Sequence, residues 1–217
     1  MTESEEKVPH NVHDRGYKKL FSFWEMLQQL VDGYVDQDWK TKLDYKNSIK
    51  LNKSFIMEGL KSKESDIIYQ VPLLEQNDKI YLYILIEHQS TVDFNMPFRI
   101  LYYLTQLWYD IYKNSDVKLR TKKDYRFPPL FPILLYNGAT KWTAATRMQE
   151  IVEYGTQFAS FIPNLKYYLV DIPRIDKAKI KKIGNALSGI FLLEHEKNSQ
   201  DIQKELKETL EMISKEP

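Results

Sequence analysis

Two runs rich in Ile, Leu, Val and Tyr constrain this chain more than anything else in it. The first is Ser65-Asp66-Ile67-Ile68-Tyr69-Gln70-Val71-Pro72-Leu73-Leu74, and the second is Lys79-Ile80-Tyr81-Leu82-Tyr83-Ile84-Leu85-Ile86-Glu87-His88-Gln89-Ser90. Between them lies the polar link Glu75-Gln76-Asn77-Asp78. β-Branched and aromatic residues around a short polar turn predict a β-hairpin. A turn centred between Gln76 and Asn77 places Asp66 opposite Glu87. Directly opposed residues share a face, with Cβ atoms roughly 4.5–5.5 Å apart. Side chains alternate along a strand, so Gln89 joins Glu87 and His88 points away. A slip of one residue would undo this arrangement. In that register two carboxylates and an amide converge at the open end of an apolar hairpin. Neighbouring carboxylates repel and call for a cation or a shared proton. Their oxygens suit Mg²⁺, which favours octahedral oxygen sites. The plainer alternative makes Asp66 a turn residue and Glu87 a solvated strand end.

The rest of the composition narrows the class. At 217 residues the chain suits one large domain, or a domain plus an extension, and can bury a real core. The formal net charge of +1 advertises no global basic field, so any nucleic-acid binding must rest on a local patch. With no cysteine, disulfides, thiolate metal sites and a Cys nucleophile are excluded, which fits a reducing cytoplasm. The start, Met1-Thr2-Glu3-Ser4-Glu5-Glu6-Lys7, is acidic and polar, unlike a secretory signal. No apolar run approaches the roughly 20 residues that span a bilayer, so no membrane is expected as a partner. Walker A, G-x-S-x-G and dinucleotide fingerprints are missing, so no nucleotide cofactor is expected.

Along the chain, residues 1–12 read as a loose tail. Ser22 and Glu25 form an S-x-x-E capping box, and a helix carrying Trp24, Leu27, Gln28 and Val31 follows to about Gly33. Residues 34–53 read as a polar loop, and Lys53 to Met57 as a short strand before the hairpin. Pro97 to Tyr112 is the strongest helix, with Ile100, Leu101, Leu104, Leu107, Trp108 and Ile111 in one stripe. Leu130 to Tyr136 reads as a buried strand, Trp142 to Tyr154 as a helix, and Lys166 to Pro173 as a strand. Helices over about 176–193 and 199–214 close the chain. This order predicts an α/β fold in which helices pack on one mixed sheet. Its hairpin is antiparallel and its later crossovers are parallel.

The order strand–Asp–hairpin–Glu-x-Gln, then helix and strand, is α-β-β-β-α-β and resembles the PD-(D/E)XK, restriction-endonuclease-like core. Local phrases sharpen the likeness. They are His13-Asp14 with Lys18 before Leu20-Phe21-Ser22, Ser65 to Tyr69, Ile86 to Ser90, Met96-Pro97-Phe98-Arg99, and Leu135 to Gly138 with Trp142. Together they resemble the recombination-promoting nuclease family of bacteria, also labelled transposases, over roughly residues 13–172. The resemblance implies a cytoplasmic DNA endonuclease dependent on Mg²⁺, with Mn²⁺ or Ca²⁺ as substitutes, linked to recombination or transposition. It also implies that Asp66 and Glu87 ligate the metal. Gln89 takes the place where this core usually has Lys, and would position water or phosphate. Glutamine cannot act as a base or carry charge. The implied domains are a tail (1–12), a nuclease domain (13–173) and a helical extension (174–217).

Other residues carry two readings each. Glu25 is an additional acid for the metal or a member of the capping box. Glu58 is a solvated residue past the first strand, or approaches the site. Lys18 is a phosphate contact or an ordinary helix-end lysine. The basic run 113–126, with Lys118, Arg120, Lys122 and Lys123, binds DNA phosphates or is a solvated loop. His88 is expected to pack behind the acids, His13 and Asp14 to serve a turn or cap, and His195 to complement a helix C-terminus. Two rivals stand beside the nuclease. One is a catalytically impaired DNA-binding protein on the same fold. The other is an interaction module that uses the amphipathic 199–214 helix to dimerise or to dock a partner.

Overall fold

The computed structural model describes residues 11–51, 67–74 and 81–195; the side chains of 11–15, 81–85 and 87 lie outside that description. Among the described residues, one five-stranded sheet runs in the order β1-β2-β3-β4-β5. Its strands are β1 (Ile49–Leu51), β2 (Ile67–Pro72), β3 (Tyr81–Gln89), β4 (Leu130–Tyr136) and β5 (Tyr168–Asp171). β1–β2 and β2–β3 pair antiparallel, and β3–β4 and β4–β5 are parallel. The expected mixed sheet is therefore present. Its hairpin has the expected register, with Ile67 opposite Ile86 and Pro72 opposite Tyr81.

Each face of the sheet carries its own core. On one, Ile67, Tyr69, Ile86, Ile133, Leu135 and Val170 pack against α1 (Asn11–Leu20), α2 (Trp24–Tyr34) and α6 (Ala186–His195). On the other, Ile68, Leu134 and Tyr136 meet α3 (Met96–Asn114) through Met96, Ile100, Leu104 and Leu107. That spacing is the apolar stripe of a helix lying on a sheet. Because both faces are covered, β3 and β4 read as nearly continuous apolar runs rather than alternating ones. No helix among the described residues is long and apolar enough to cross a membrane.

The helix ends depart from expectation for local reasons. Ser22 does not cap α2; its hydroxyl donates to the Lys19 carbonyl at 2.6 Å, closing α1, and Phe23 precedes α2 with no side-chain cap. α1 begins at Asn11, inside the stretch read as a tail. The polar segment 34–53 holds two 3-10 turns and β1, while the strand expected at 53–57 lies outside the described residues. The helix expected over Trp142–Tyr154 does not form. Met148 N–H donates to Leu165, Tyr167 N–H donates to Thr146, and Arg147 bridges Lys166, so this backbone is paired across the chain. Only a 3-10 turn, Met148–Ile151, remains. The basic segment is part helix: α3 runs to Asn114, and a four-residue α4 (Val117–Arg120) follows.

The helix expected over 176–193 is two. α5 (Lys177–Ile183) ends at Gly184, whose φ of 64° is the left-handed geometry glycine accepts without strain. Asn185 then starts α6, its Oδ1 accepting both N–H and Oγ–H of Ser188 at 2.8 Å. The Ser188 hydroxyl lies 2.7 Å from that of Tyr34, and Gln29 accepts the Leu187 N–H at 2.8 Å, so α2 holds the same end. Removing this cap by Asn185→Ala should cost about 1 kcal/mol in urea unfolding, with most of it recovered in Asn185→Asp.

Candidate active site

The register positions of Glu87 and Gln89 lie opposite Leu134 and Tyr136, which belong to the core beneath α3. Ile86 and His88 belong to the other face. The Gln89 side chain is buried, 8% exposed, where β3 ends. Its carbonyl accepts the Asn137 N–H at 3.1 Å, which ties the ends of β3 and β4 together. Asp66 and the Glu87 side chain lie outside the described residues, so the described part of the predicted trio is the Glu87 backbone and the whole of Gln89. Among the described residues, no three His, Cys, Asp or Glu side chains gather as a metal group.

A polar network follows immediately on the α3 side. Asp93 Oδ2 receives Arg99 Nη1 at 2.6 Å, and Arg99 Nη2 donates to the Tyr103 hydroxyl at 3.1 Å. Burial works against the guanidinium charge, but the bonds to Asp93 and Tyr103 outweigh it and raise the Arg99 pKa. Behind it, the Trp142 Nε1–H donates to the Tyr167 hydroxyl at 3.0 Å, which donates to the Ala145 carbonyl at 2.6 Å. Burial, reinforced by Glu150 and Asp93, pushes the Tyr167 hydroxyl up to about 12 despite the Trp142 bond. These groups fix the β3–α3 connection and the start of α3. Their link to the strand ends had no local signal: Asp93 and Arg99 are six residues apart across an irregular turn.

A second network lies on the α1 side. His88 stacks on Tyr17 with ring centroids 4.5 Å apart, the packing role expected of it. The Tyr17 hydroxyl donates to Glu194 at 3.3 Å, and Asn137 Nδ2 lies 3.3 Å from both oxygens of the same carboxylate. Burial, then the Glu194 charge, raises the Tyr17 pKa well above its usual value. Tyr17 of α1 and Asn137 beyond β4 thus meet on one glutamate of α6. Sequence reading missed Glu194 because 177 residues separate it from Tyr17.

The remaining candidates are dispersed. Glu25 is exposed in the first turn of α2. Its charge reaches the Tyr69 hydroxyl, which burial chiefly pushes up to about 12. Tyr69 belongs to the face opposite α3. Lys18 is half-buried, with its amino nitrogen shielded from solvent. Lys118, Lys122 and Lys123 are exposed, and Arg120 is half-buried against Tyr112. Glu58 and the 199–214 helix lie outside the described residues.

The family described as "Putative transposase, YhgA-like" matches residues 11–217. The chain belongs to this family. Among curated proteins it is 28% identical over 162 residues to the recombination-promoting nuclease RpnC of Escherichia coli strain K12, covering 74% of this chain and 50% of that protein. It is 29% identical over 142 residues to the inactive recombination-promoting nuclease-like protein RpnE of the same strain, covering 64% of this chain and 42% of that protein. It is 28% identical over 128 residues to the recombination-promoting nuclease RpnD of Escherichia coli O157:H7, covering 58% and 45%. The chain thus spans half or less of the length of these relatives. No solved structure matches it.

The Asn137-Gly138 turn of this family member is built on close approach. A Cβ on Gly138 would collide with the Tyr136 hydroxyl and come within 2.5 Å of the Ser90 carbonyl oxygen. Arg174 clamps the same turn by donating to the Gly138 carbonyl at 2.6 Å and to the Ala139 carbonyl. Gly138→Ala should therefore destabilise the fold by about 1–3 kcal/mol in urea denaturation, as overpacking does.

Proposed function

We propose that this protein is a metal-dependent DNA endonuclease whose site sits where β2 begins and β3 ends. The observation that carries the reading is the hairpin register, because continuing the Ile67–Ile86 pairing by one residue would bring Asp66 opposite Glu87. The succession α2, β1, β2, β3, α3, β4, with β4 parallel to β3, supports a PD-(D/E)XK-like core. Membership of a family whose curated relatives include named recombination-promoting nucleases supplies the reaction class. DNA as substrate, a cytoplasmic location and a part in recombination or transposition belong to the same proposal.

The donor set fits the implied ion. The carboxylates of Asp66 and Glu87 would offer oxygen donors, which suit Mg²⁺. Asp66 and Glu87 would hold it. Bound there, Mg²⁺ supplies charge stabilisation at a phosphodiester and lowers the pKa of water. Gln89 orients water or a phosphate oxygen by hydrogen bonding and takes no proton at any stage. Arg99, held by Asp93 and Tyr103, fixes the first turn of α3 beside the strand ends. Exposed Lys118, Lys122 and Lys123 add salt-sensitive affinity for the phosphate backbone.

A second reading is favoured by the relative named inactive and by glutamine at position 89. In it the chain binds DNA on the same fold without cutting it. Purified protein incubated with plasmid DNA in Mg²⁺, Mn²⁺ or EDTA separates the two. The nuclease reading expects cleavage that EDTA abolishes and that Asp66→Ala or Glu87→Ala each reduces by at least about a hundredfold. Cleavage that survives both substitutions would refute the site. Salt-sensitive binding without cleavage in either metal would establish the second reading.

A further inference from the structure

The C-terminal half of α3 carries an open aromatic groove of about 310 Å³, lined by Thr105, Trp108, Tyr109, Tyr112 and Phe127. α3 starts beyond the end of β3 and finishes near the start of β4, where Trp108 Nε1 donates to the Pro128 carbonyl at 3.0 Å. The twelve steps from Met96 to Trp108 rise about 18 Å along a helix, so the groove is remote from the strand ends. Its floor is pre-organised. Phe127 packs on Trp108 and Tyr112 with centroids 6.0 and 6.2 Å away, and the Arg120 guanidinium sits 4.7 Å over the Tyr112 ring. Tyr109 is 62% exposed and Phe127 48% exposed. Large exposed rings on a rigid floor are unusual for a face that meets water alone.

The charge around the groove identifies its occupant. Residues 113–126 hold six Lys and Arg against Asp116 and Asp124. Lys113, Lys118, Lys122, Lys123 and Arg126 are exposed. An apolar protein partner would have no use for this basic rim, whereas a nucleic-acid strand uses both features. Bases stack on aromatic faces while cations track the backbone. A duplex keeps its base faces covered by its own stack, so the rings select unpaired bases. We infer that the groove of Trp108, Tyr109, Tyr112 and Phe127 is a stacking platform for single-stranded DNA, with the 113–126 cations along its backbone. This gives the protein a second DNA contact, separate from the hydrolytic site. It rests on the nucleic-acid part of the function proposed above and is independent of cleavage.

The test measures binding in EDTA by fluorescence anisotropy, with a labelled oligothymidine about 16 nucleotides long and a duplex of equal length. Wild type should bind the oligothymidine more tightly than the duplex. Tyr109→Ala and Phe127→Leu should each weaken oligothymidine binding on the order of tenfold, and Tyr109→Phe should keep it. The dependence of affinity on salt should be unchanged in these ring variants. It should become shallower in the Lys118→Ala, Lys122→Ala, Lys123→Ala triple variant, since only charges release counterions. Circular dichroism confirms folding, and Phe127→Leu retains an apolar filler should Tyr109→Ala perturb the helix. Equal affinity for the duplex would overturn the inference, as would ring variants that bind as well as wild type. So would ring substitutions that dissociate a self-associated wild type unable to bind oligothymidine. Stacking that persists in a protein unable to cut DNA would refute the nuclease reading alone. Cleavage that persists with unaltered binding in the ring variants would refute the groove alone.

Discussion

The pairing of β3 with two unlike neighbours governs the rest of the molecule. β2 fixes it from one side in an antiparallel ladder, and β4 fixes it from the other in a parallel one. A one-residue slip against either partner would turn every side chain of β3 to the other face. It would take Ile86 out of the core under α1, α2 and α6, and drive the register positions of Glu87 and Gln89 into it. Burial on both faces thus makes the register a requirement of folding, and the register decides which polar groups reach the sheet's edge.

The two flanking layers then complete that edge in different ways. On the α3 side, Asp93, Arg99 and Tyr103 form a charge-assisted chain that pins the incoming helix. On the α1 side, Tyr17, His88, Asn137 and Glu194 join three distant segments through one carboxylate. Gly138 lets the β4 exit turn pass close to Ser90, and so keeps the ends of β3 and β4 together.

Much of this was legible in the sequence where one local pattern dominated. β4 was readable as an unbroken apolar run, α3 as a long stripe behind a proline, and the hairpin as two apolar runs about a short polar link, whose sequence left the register open. Reading failed where local and distant partners competed. Trp142–Tyr154 has helical composition, but its backbone pairs with 165–167. The Ser22–Glu25 spacing imitates a cap, yet Ser22 serves the preceding helix. Gly184-Asn185 was a visible stop-and-start signal hidden by the apolar stripe running through it. At the site, Gln89 and the packing of His88 followed from strand alternation, whereas Glu194 and Arg99 acquire their partners only through tertiary structure.

In the function proposed above, hairpin register gathers Asp66 and Glu87 into one oxygen-ligand site. Anomalous diffraction from crystals soaked in Mn²⁺ tests it most directly. The expected result is a peak bridging the carboxylates of Asp66 and Glu87, beside Gln89, that disappears in Glu87→Ala. A well-ordered edge with the two carboxylates on opposite faces of the sheet, or with Mn²⁺ bound elsewhere and these acids bare, would contradict it.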